Sequence, residues 1–203
     1  MKLRKIIAEM AVHIPFCVLD RAENTLVLAD TIDEFLLDEF AKHGAKISLL
    51  TSRECDIDAQ KYPRIVSWKT GAIAALIDNS LKFDAIIDLR AIKPNAEEAR
   101  ALLMSLDAKG VLLKLFGVLE AEQMKPYNSC RYVIPCAASA FAPLDGGFTG
   151  FVFASKKSHP TADLKLQRAD LLSGCDYYNA DTHEAAFALP NAVLARFGEW
   201  IKS

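Results

Sequence analysis

The sequence predicts one α/β domain over residues 1–203, with a mostly parallel sheet covered by helices on both faces. Short apolar runs alternate with helix-forming stretches, and the runs lack the strict polar alternation of half-exposed strands. The chain of 203 residues is long enough for one substantial core. Two later β-rich runs, Cys130–Pro135 and Gly150–Ser155, are separated by Asp145-Gly146-Gly147, which predicts an antiparallel hairpin at the end of the sheet.

The predicted strands and helices follow one another at short intervals. Parallel strands are predicted at residues 25–29, 46–50, 64–68, 83–88 and 111–116. Helices are predicted over residues 3–19, 35–43, 72–80 and 95–106, and a polar helix-forming stretch follows residue 50. Pro15 is expected to stop the first helix and Gly44 to close the second. Connections between parallel neighbours should be right-handed.

Charge and composition exclude several classes of protein. The formal net charge is -2 and the lysines and arginines are scattered, so a basic nucleic-acid surface is absent. No run reaches about 18 uninterrupted apolar residues, which argues against a membrane span, and Glu9 and His13 interrupt the signal-like start of the chain. Five cysteines without a CxxC pair predict a reduced, cytoplasmic protein: Cys17, Cys55, Cys130, Cys136 and Cys175.

Familiar catalytic and metal-binding motifs are absent from the sequence. It contains neither a P-loop nor a G-x-S-x-G nucleophile motif. The four histidines have no spacing typical of a metal cluster, so no metal site is predicted: His13, His43, His159 and His183. His183 is interpreted as structural, because a lone histidine more often packs or caps than titrates usefully.

The most specific motif lies near the end of the chain, at Tyr177–Pro190. It reads Tyr-Tyr-Asn, three further residues, His, one residue, and Ala-Ala-Phe-Ala-Leu-Pro. Asn179 or Asp181 can cap a short helix there. Two other segments add to the pattern: Glu9–Pro15, which reads Glu-Met-Ala-Val-His-Ile-Pro, and the strand Gly150–Lys156. From about residue 8 to its end, the chain resembles the spermidine synthases, also called polyamine aminopropyltransferases.

This resemblance implies a fold and an activity. The fold is the Rossmann-like methyltransferase fold with a C-terminal antiparallel hairpin, and the similarity is to an epsilonproteobacterial-type member without the family's N-terminal β-domain. The implied reaction moves the aminopropyl group of decarboxylated S-adenosylmethionine to putrescine, which gives spermidine and methylthioadenosine. No cofactor is expected beyond that co-substrate, and a homodimer or homotetramer is expected.

The resemblance also implies which residues meet the substrates, at the carboxyl ends of the strands. Six residues are expected to contact the nucleoside and the aminopropyl chain: Asp30, Asp33, Thr51, Ser52, Thr70 and Gly71. The two aspartates would face the cationic chain, the pair at 51 and 52 the ribose, and the pair at 70 and 71 the adenine. Asp88 is expected to be the catalytic residue that helps to deprotonate the attacking amine.

Each of these positions also has a purely structural interpretation. The two aspartates near residue 30 could cap the following helix, the hydroxyl pair could form a polar turn, and Asp88 could bond locally at its strand end. The family's glycine-rich loop and ribose-binding carboxylate are replaced here, and Arg90 and Lys93 put positive charge where a diamine would bind. Two rival functions stay open. One is a family member that has lost the reaction and binds a nucleoside or a partner chain, and the other is a small-molecule methyltransferase.

Overall fold

The structure is a computed structural model that describes residues 3–71, 81–92, 95–116, 126–127, 137–141, 150–191 and 194–195. Three sequence predictions lie outside these residues: the helix over 72–80, the strand at 130–135 and the turn at 145–147. Within the described ranges, no helix is long and apolar enough to cross a membrane.

The described strands form one seven-stranded sheet. They are β1 Asn24–Ala29, β2 Lys46–Thr51, β3 Ile65–Thr70, β4 Phe83–Asp88, β5 Leu106–Phe116, β6 Ala137–Phe141 and β7 Gly150–Ser155. Their order across the sheet is β3-β2-β1-β4-β5-β7-β6. The first five strands pair in parallel, whereas β7 is antiparallel to both β5 and β6. The predicted parallel sheet with an antiparallel end is confirmed.

The helices surround this sheet. They are α1 Leu3–Val18, α2 Glu34–Ala41, α3 Ala96–Ser105, α4 Leu166–Asp170 and α5 Ala180–Ala186. The polar stretch after residue 50, predicted to favour a helix, contributes a short 3₁₀ turn at Ala59–Lys61. The strand predicted at residues 111–116 begins earlier, because β5 follows directly on the end of α3.

The prediction that Pro15 stops the first helix was wrong. The helix continues to Val18, and the N–H group of Leu19 donates to the Pro15 carbonyl at 3.0 Å. Proline removes one helical hydrogen bond and crowds the preceding turn. Here the residues on both sides of it, Ile14 and Phe16, are buried in the core, and that burial holds the helix together through the proline.

Both faces of the sheet are covered, as predicted. The adjacent β1 residues Val27 and Leu28 point to opposite faces, and both are fully buried. Val27 belongs to the cluster that includes α1 and α2, and Leu28 belongs to the cluster that includes Leu102 and Leu103 of α3. Burial on both faces explains why the central strands read as continuous apolar runs.

The parallel register places the strand ends side by side. Ala29 pairs with Thr51, Thr51 pairs with Thr70, and Leu28 pairs with Asp88. The carboxyl ends of β3, β2, β1 and β4 therefore meet at one edge of the sheet, which is where ligands bind in folds of this type.

Candidate active site

Asp30 joins three strand ends at this edge. It follows β1 directly, and its half-buried carboxylate accepts hydrogen bonds from Ser52 Oγ at 2.9 Å and from the Ala91 N–H group at 2.9 Å. The Ala91 N–H bond, together with the one from Ser52, holds the pKa of Asp30 below its ordinary value against the opposing effect of burial. The structure therefore brings Asp30 and Ser52 together as an anionic group at the carboxyl edge.

Asp33 has a different task from Asp30. It is the N-cap of α2, and its Oδ1 accepts the Leu36 N–H group at 3.1 Å. An aspartate at this position satisfies one of the free N–H groups of the first helical turn. The side chain is therefore committed to the start of the helix, which is the structural alternative given for this residue.

The end of β2 offers Ser52 to solvent while Thr51 is turned inward. Thr51 is fully buried, and its hydroxyl accepts the indole N–H group of Trp68 at 3.1 Å. Its carbonyl accepts the Gly71 N–H group at 3.1 Å. Gly71 has a φ of 141°, a backbone conformation that side chains with a Cβ rarely adopt, so this position requires glycine. Thr70 precedes it and is exposed.

Asp88 lies fully buried at the end of β4, inside a ring of hydrogen-bond donors. Arg90 Nε is 2.9 Å from Asp88 Oδ1, and Arg90 Nη2 is 2.7 Å from Oδ2. The N–H group of Arg90 also donates to Oδ1 at 3.1 Å. Lys114 Nζ, which is fully buried too, lies 3.4 Å from the same oxygen. Both carboxylate oxygens are therefore occupied by cationic groups.

A second carboxylate completes this buried network. Arg90 Nη2 lies 2.8 Å from Glu98 Oε1 on α3, and Lys114 Nζ donates to the Arg90 carbonyl. Burial disfavours the Arg90 cation, but its bonds to the two carboxylates outweigh that effect and raise its pKa. Burial lowers the pKa of Lys114. Two carboxylates and two cations thus balance each other within the described network.

Sequence reasoning missed two members of this network. Lys114 had a visible signal, since it is a lysine within the apolar run of residues 111–116, and a buried lysine needs a partner. Its register partner on β4 is Asp88. Glu98 gave no such signal, because a glutamate in the first turn of a helix is common at the surface. Lys93, whose charge was expected to repel a diamine, lies outside the described residues.

The C-terminal motif at Tyr177–Pro190, here called the signature, links α1 to the rest of the domain. We call this link the brace. The buried Glu9 carboxylate accepts the N–H groups of Asp176 at 3.0 Å and of Tyr177 and Tyr178 at 2.8 Å each. Asn179 caps α5 in a reciprocal capping box with Thr182, which confirms the predicted cap. The two most specific sequence segments, Glu9–Pro15 and Tyr177–Pro190, therefore bind each other.

Comparisons with known proteins agree with these observations. No protein-family model matches the sequence. The polyamine aminopropyltransferase of Helicobacter pylori strain P12 is 26% identical over 207 residues, covering 97% of this chain and 78% of that protein. The polyamine aminopropyltransferase of Alkaliphilus metalliredigens strain QYMF is 24% identical over 214 residues, covering 91% of this chain and 75% of that protein.

Solved structures show the same fold. The spermidine synthase of Thermotoga maritima superposes with a TM-score of 0.72 at 22% identity, over 96% of this chain and 74% of that one. A spermidine synthase in complex with the transition state analogue AdoDATO gives a TM-score of 0.75 at 20% identity, over 96% of this chain and 76% of that one. An O-methyltransferase from Bacillus cereus gives 0.55 at 16% identity, over 77% of this chain and 82% of that one. This chain is therefore similar to polyamine aminopropyltransferases along nearly its whole length and has the Rossmann-like methyltransferase fold of the spermidine synthases.

Proposed function

We propose that this chain is an aminopropyltransferase that moves the aminopropyl group of decarboxylated S-adenosylmethionine to putrescine, giving spermidine and methylthioadenosine. The observation that carries the proposal is the similarity over 97% of the chain to a protein named polyamine aminopropyltransferase. The anionic Asp30 at the carboxyl edge of the sheet supports it, because both substrates are cations.

The reaction is a direct displacement at carbon. The lone pair of a neutral amine forms a new C–N bond while the C–S bond of the sulfonium breaks, and methylthioadenosine leaves with the bonding electrons. The protein's main task is to hold amine and carbon in line. No cofactor is needed for this step, since the sulfonium is already an activated leaving group.

Asp30 is the residue that we assign to the cationic substrate. Its hydrogen bonds from Ser52 and Ala91 keep it ionised and fix its position between β1, β2 and β4. A fixed carboxylate attracts a sulfonium or an ammonium group without reorganising during the reaction. Ser52, which is exposed beside it directly after β2, is the hydroxyl that we assign to the ribose.

We assign Asp88 a positioning task. A general base must reach the proton that it takes, whereas Asp88 is fully buried and its two oxygens accept bonds from Arg90. In this proposal the network holds the segment after β4, which includes Ala91, against Asp30. The amine loses its proton to water. The prediction from the family resemblance that Asp88 is the general base stays a prediction, and the pH profile separates the two roles.

The primary test is a search for product by mass spectrometry. Incubating the full chain with decarboxylated S-adenosylmethionine and putrescine should give spermidine and methylthioadenosine in equal amounts. Asp30→Asn should raise the KM for the sulfonium substrate roughly tenfold, since it removes one charge at close range. The exposed Asp170→Asn on α4 is the matched control and should leave KM unchanged. Absence of spermidine from the wild-type reaction would falsify the proposal.

A second measurement addresses Asp88 separately. If Asp88 is a positioning residue, Asp88→Asn lowers kcat but leaves the rise of kcat/KM with pH intact. A general base would instead lose its own titration from that profile. Circular dichroism shows whether the variant is folded, and methylthioadenosine binding by thermal shift shows whether its nucleoside pocket persists. Wild-type protein that binds methylthioadenosine but forms no spermidine would support the rival nucleoside-binding function.

A further inference from the structure

Three side chains with metal-binding atoms meet away from the candidate active site. They come from distant segments: His13 from α1, Glu39 from α2 and Cys175 from the loop before α5. Their ligand atoms all lie within 4.8 Å of one another. His13 Nε2 is 2.8 Å from Glu39 Oε2 and 3.3 Å from Cys175 Sγ. Spacing along the chain could not reveal this group, because 26 and 162 residues separate the histidine from its two partners.

We propose that His13 Nε2, Glu39 Oε2 and Cys175 Sγ bind a zinc ion. Imidazole nitrogen, carboxylate oxygen and thiolate sulfur are the three protein ligands that zinc accepts, with bonds of about 2.0–2.3 Å. Those bond lengths put the ligand atoms of a tetrahedral site about 3.4 Å apart. The His13 distances to its two partners, 2.8 and 3.3 Å, are already close to that spacing.

A cation already stands beside these ligands. Lys42 Nζ is 2.5 Å from Glu39 Oε2, 3.5 Å from Cys175 Sγ and 3.2 Å from the Gly174 carbonyl. The three side chains therefore already contact a positive charge, the ammonium group of Lys42. The Lys42 side chain is 22% exposed, so its ammonium can turn out to solvent when a metal ion takes its place.

The histidine is also held as metal-bound histidines usually are. Its second nitrogen, His13 Nδ1, is 2.9 Å from His43 Nε2, and the His43 ring stacks on Phe16 with centroids 4.3 Å apart. A ligand histidine normally donates its other N–H group to an acceptor that fixes the orientation of the ring. His43 is that acceptor in the proposed site.

The position of the site gives it a structural task. α2 begins at the carboxyl edge of the sheet with its cap Asp33, and Glu39 and Lys42 lie at the opposite end of that helix. A metal ion here would tie α1, α2 and the loop before α5 together. Binding converts the Cys175 thiol to a zinc-bound thiolate and releases its proton to solvent, while the Lys42 ammonium leaves its contacts. Metal affinity of such a site adds to folding stability.

The test is a cobalt titration of the full chain. Co²⁺ is a spectroscopic substitute for zinc, and a thiolate ligand gives an intense near-ultraviolet charge-transfer band. We expect that band to saturate at one cobalt per chain and to disappear on adding Zn²⁺. Cys175→Ser should lose the band, and its cobalt affinity should fall roughly tenfold or more. The matched control is Cys55→Ser, because Cys55 is also partly exposed but lies near Ile32, beside the carboxyl edge.

A Lys42→Met variant tests the same site by removing the competing cation. Removing the competing ammonium should tighten cobalt binding at least about fivefold, while circular dichroism checks that the variant is folded. The proposal is overturned if Cys175→Ser keeps the band and the affinity of the wild type. It is equally overturned if folded Lys42→Met binds no cobalt, because the cluster is then only a hydrogen-bonded contact between the helices.

Discussion

Arg90 donates hydrogen bonds to both carboxylate oxygens of Asp88, which lies two residues before it. Its Nε is 2.9 Å from Oδ1 and its Nη2 is 2.7 Å from Oδ2. Arginine is suited to this because its planar donors match the geometry of a carboxylate. The pair is buried, and each member forms a second ion pair, Arg90 with Glu98 and Asp88 with Lys114. The strand end that was expected to carry the catalytic base therefore carries an ion-pair network.

Removing the arginine from this network should be costly. Arg90→Met leaves Asp88 buried with one cation partner fewer, and breaking a buried ion pair in this way costs about 3–5 kcal/mol. Urea denaturation should show that loss in the free energy of unfolding. The control is Arg64→Met, since Arg64 is exposed, and its free energy of unfolding should change by less than about 0.5 kcal/mol. Equal stability of the two variants would show that the network contributes little.

Glu9 gives a second prediction, about the brace formed by the signature. Glu9→Gln keeps the shape of the side chain but removes the charge that accepts three N–H groups. Hydrogen bonds to a charged group are stronger than neutral ones, so we expect a loss of about 2 kcal/mol or more in the free energy of unfolding. Glu184→Gln on α5 is the matched control, because Glu184 is exposed. A brace that depends on shape alone would leave both variants as stable as the wild type.

The fold was predictable from the sequence for a physical reason. Residues such as Val27 and Leu28 are buried on both faces of the sheet, so the strands read as unbroken apolar runs between amphipathic helices. The caps were also readable, as Asn179 shows. The exception is Pro15, where burial of the surrounding helix outweighs the local preference to stop.

The candidate site was less predictable, because the orientation and partners of its side chains depend on contacts between distant segments. Sequence reasoning placed Asp30 and Ser52 at the same edge, and the structure brings them together. It could not show that Thr51 turns inward to Trp68, since a threonine at a strand end can face either way. Nor could it show that Lys114, 26 residues further along the chain, reaches Asp88.

Gly71 allows a prediction about the backbone at the carboxyl edge. Its φ of 141° is nearly closed to other residues, so Gly71→Ala should lower the free energy of unfolding by about 1–3 kcal/mol. Among the described residues, no atom lies within 4 Å of a Cβ added at position 71, so the expected cost comes from backbone strain. Gly44→Ala is the control, as Gly44 has equal space without a positive φ and should gain roughly 0.4–1 kcal/mol. Urea denaturation of both variants tests the contrast, and a stable Gly71→Ala would contradict it.

The buried His183 predicts how stability depends on pH. Its Nε2 faces the Pro160 carbonyl at 2.9 Å, so Nε2 carries the hydrogen, and Nδ1 accepts from the Tyr178 hydroxyl at 2.8 Å. The neutral ring thus satisfies both neighbours, whereas a proton on Nδ1 would require the Tyr178 hydroxyl to turn and accept instead of donate. Burial accordingly lowers the pKa of His183 from 6.5 to about 4, although the Pro160 bond opposes the shift.

The sign of the effect follows from which state takes up the proton first. The unfolded chain binds a proton at residue 183 below pH 6.5, and the folded chain does so only near pH 4. Stability from His183 is therefore complete above pH 6.5 and is lost as the pH falls to 4, by roughly 3 kcal/mol in total. Urea denaturation from pH 7 to 4.5, with a chelator present, measures this slope. The His183→Gln variant, whose amide can still donate to Pro160, should reduce the slope of the free energy of unfolding against pH by about 1.4 kcal/mol per pH unit. An unchanged slope would show that other groups cause the acid sensitivity.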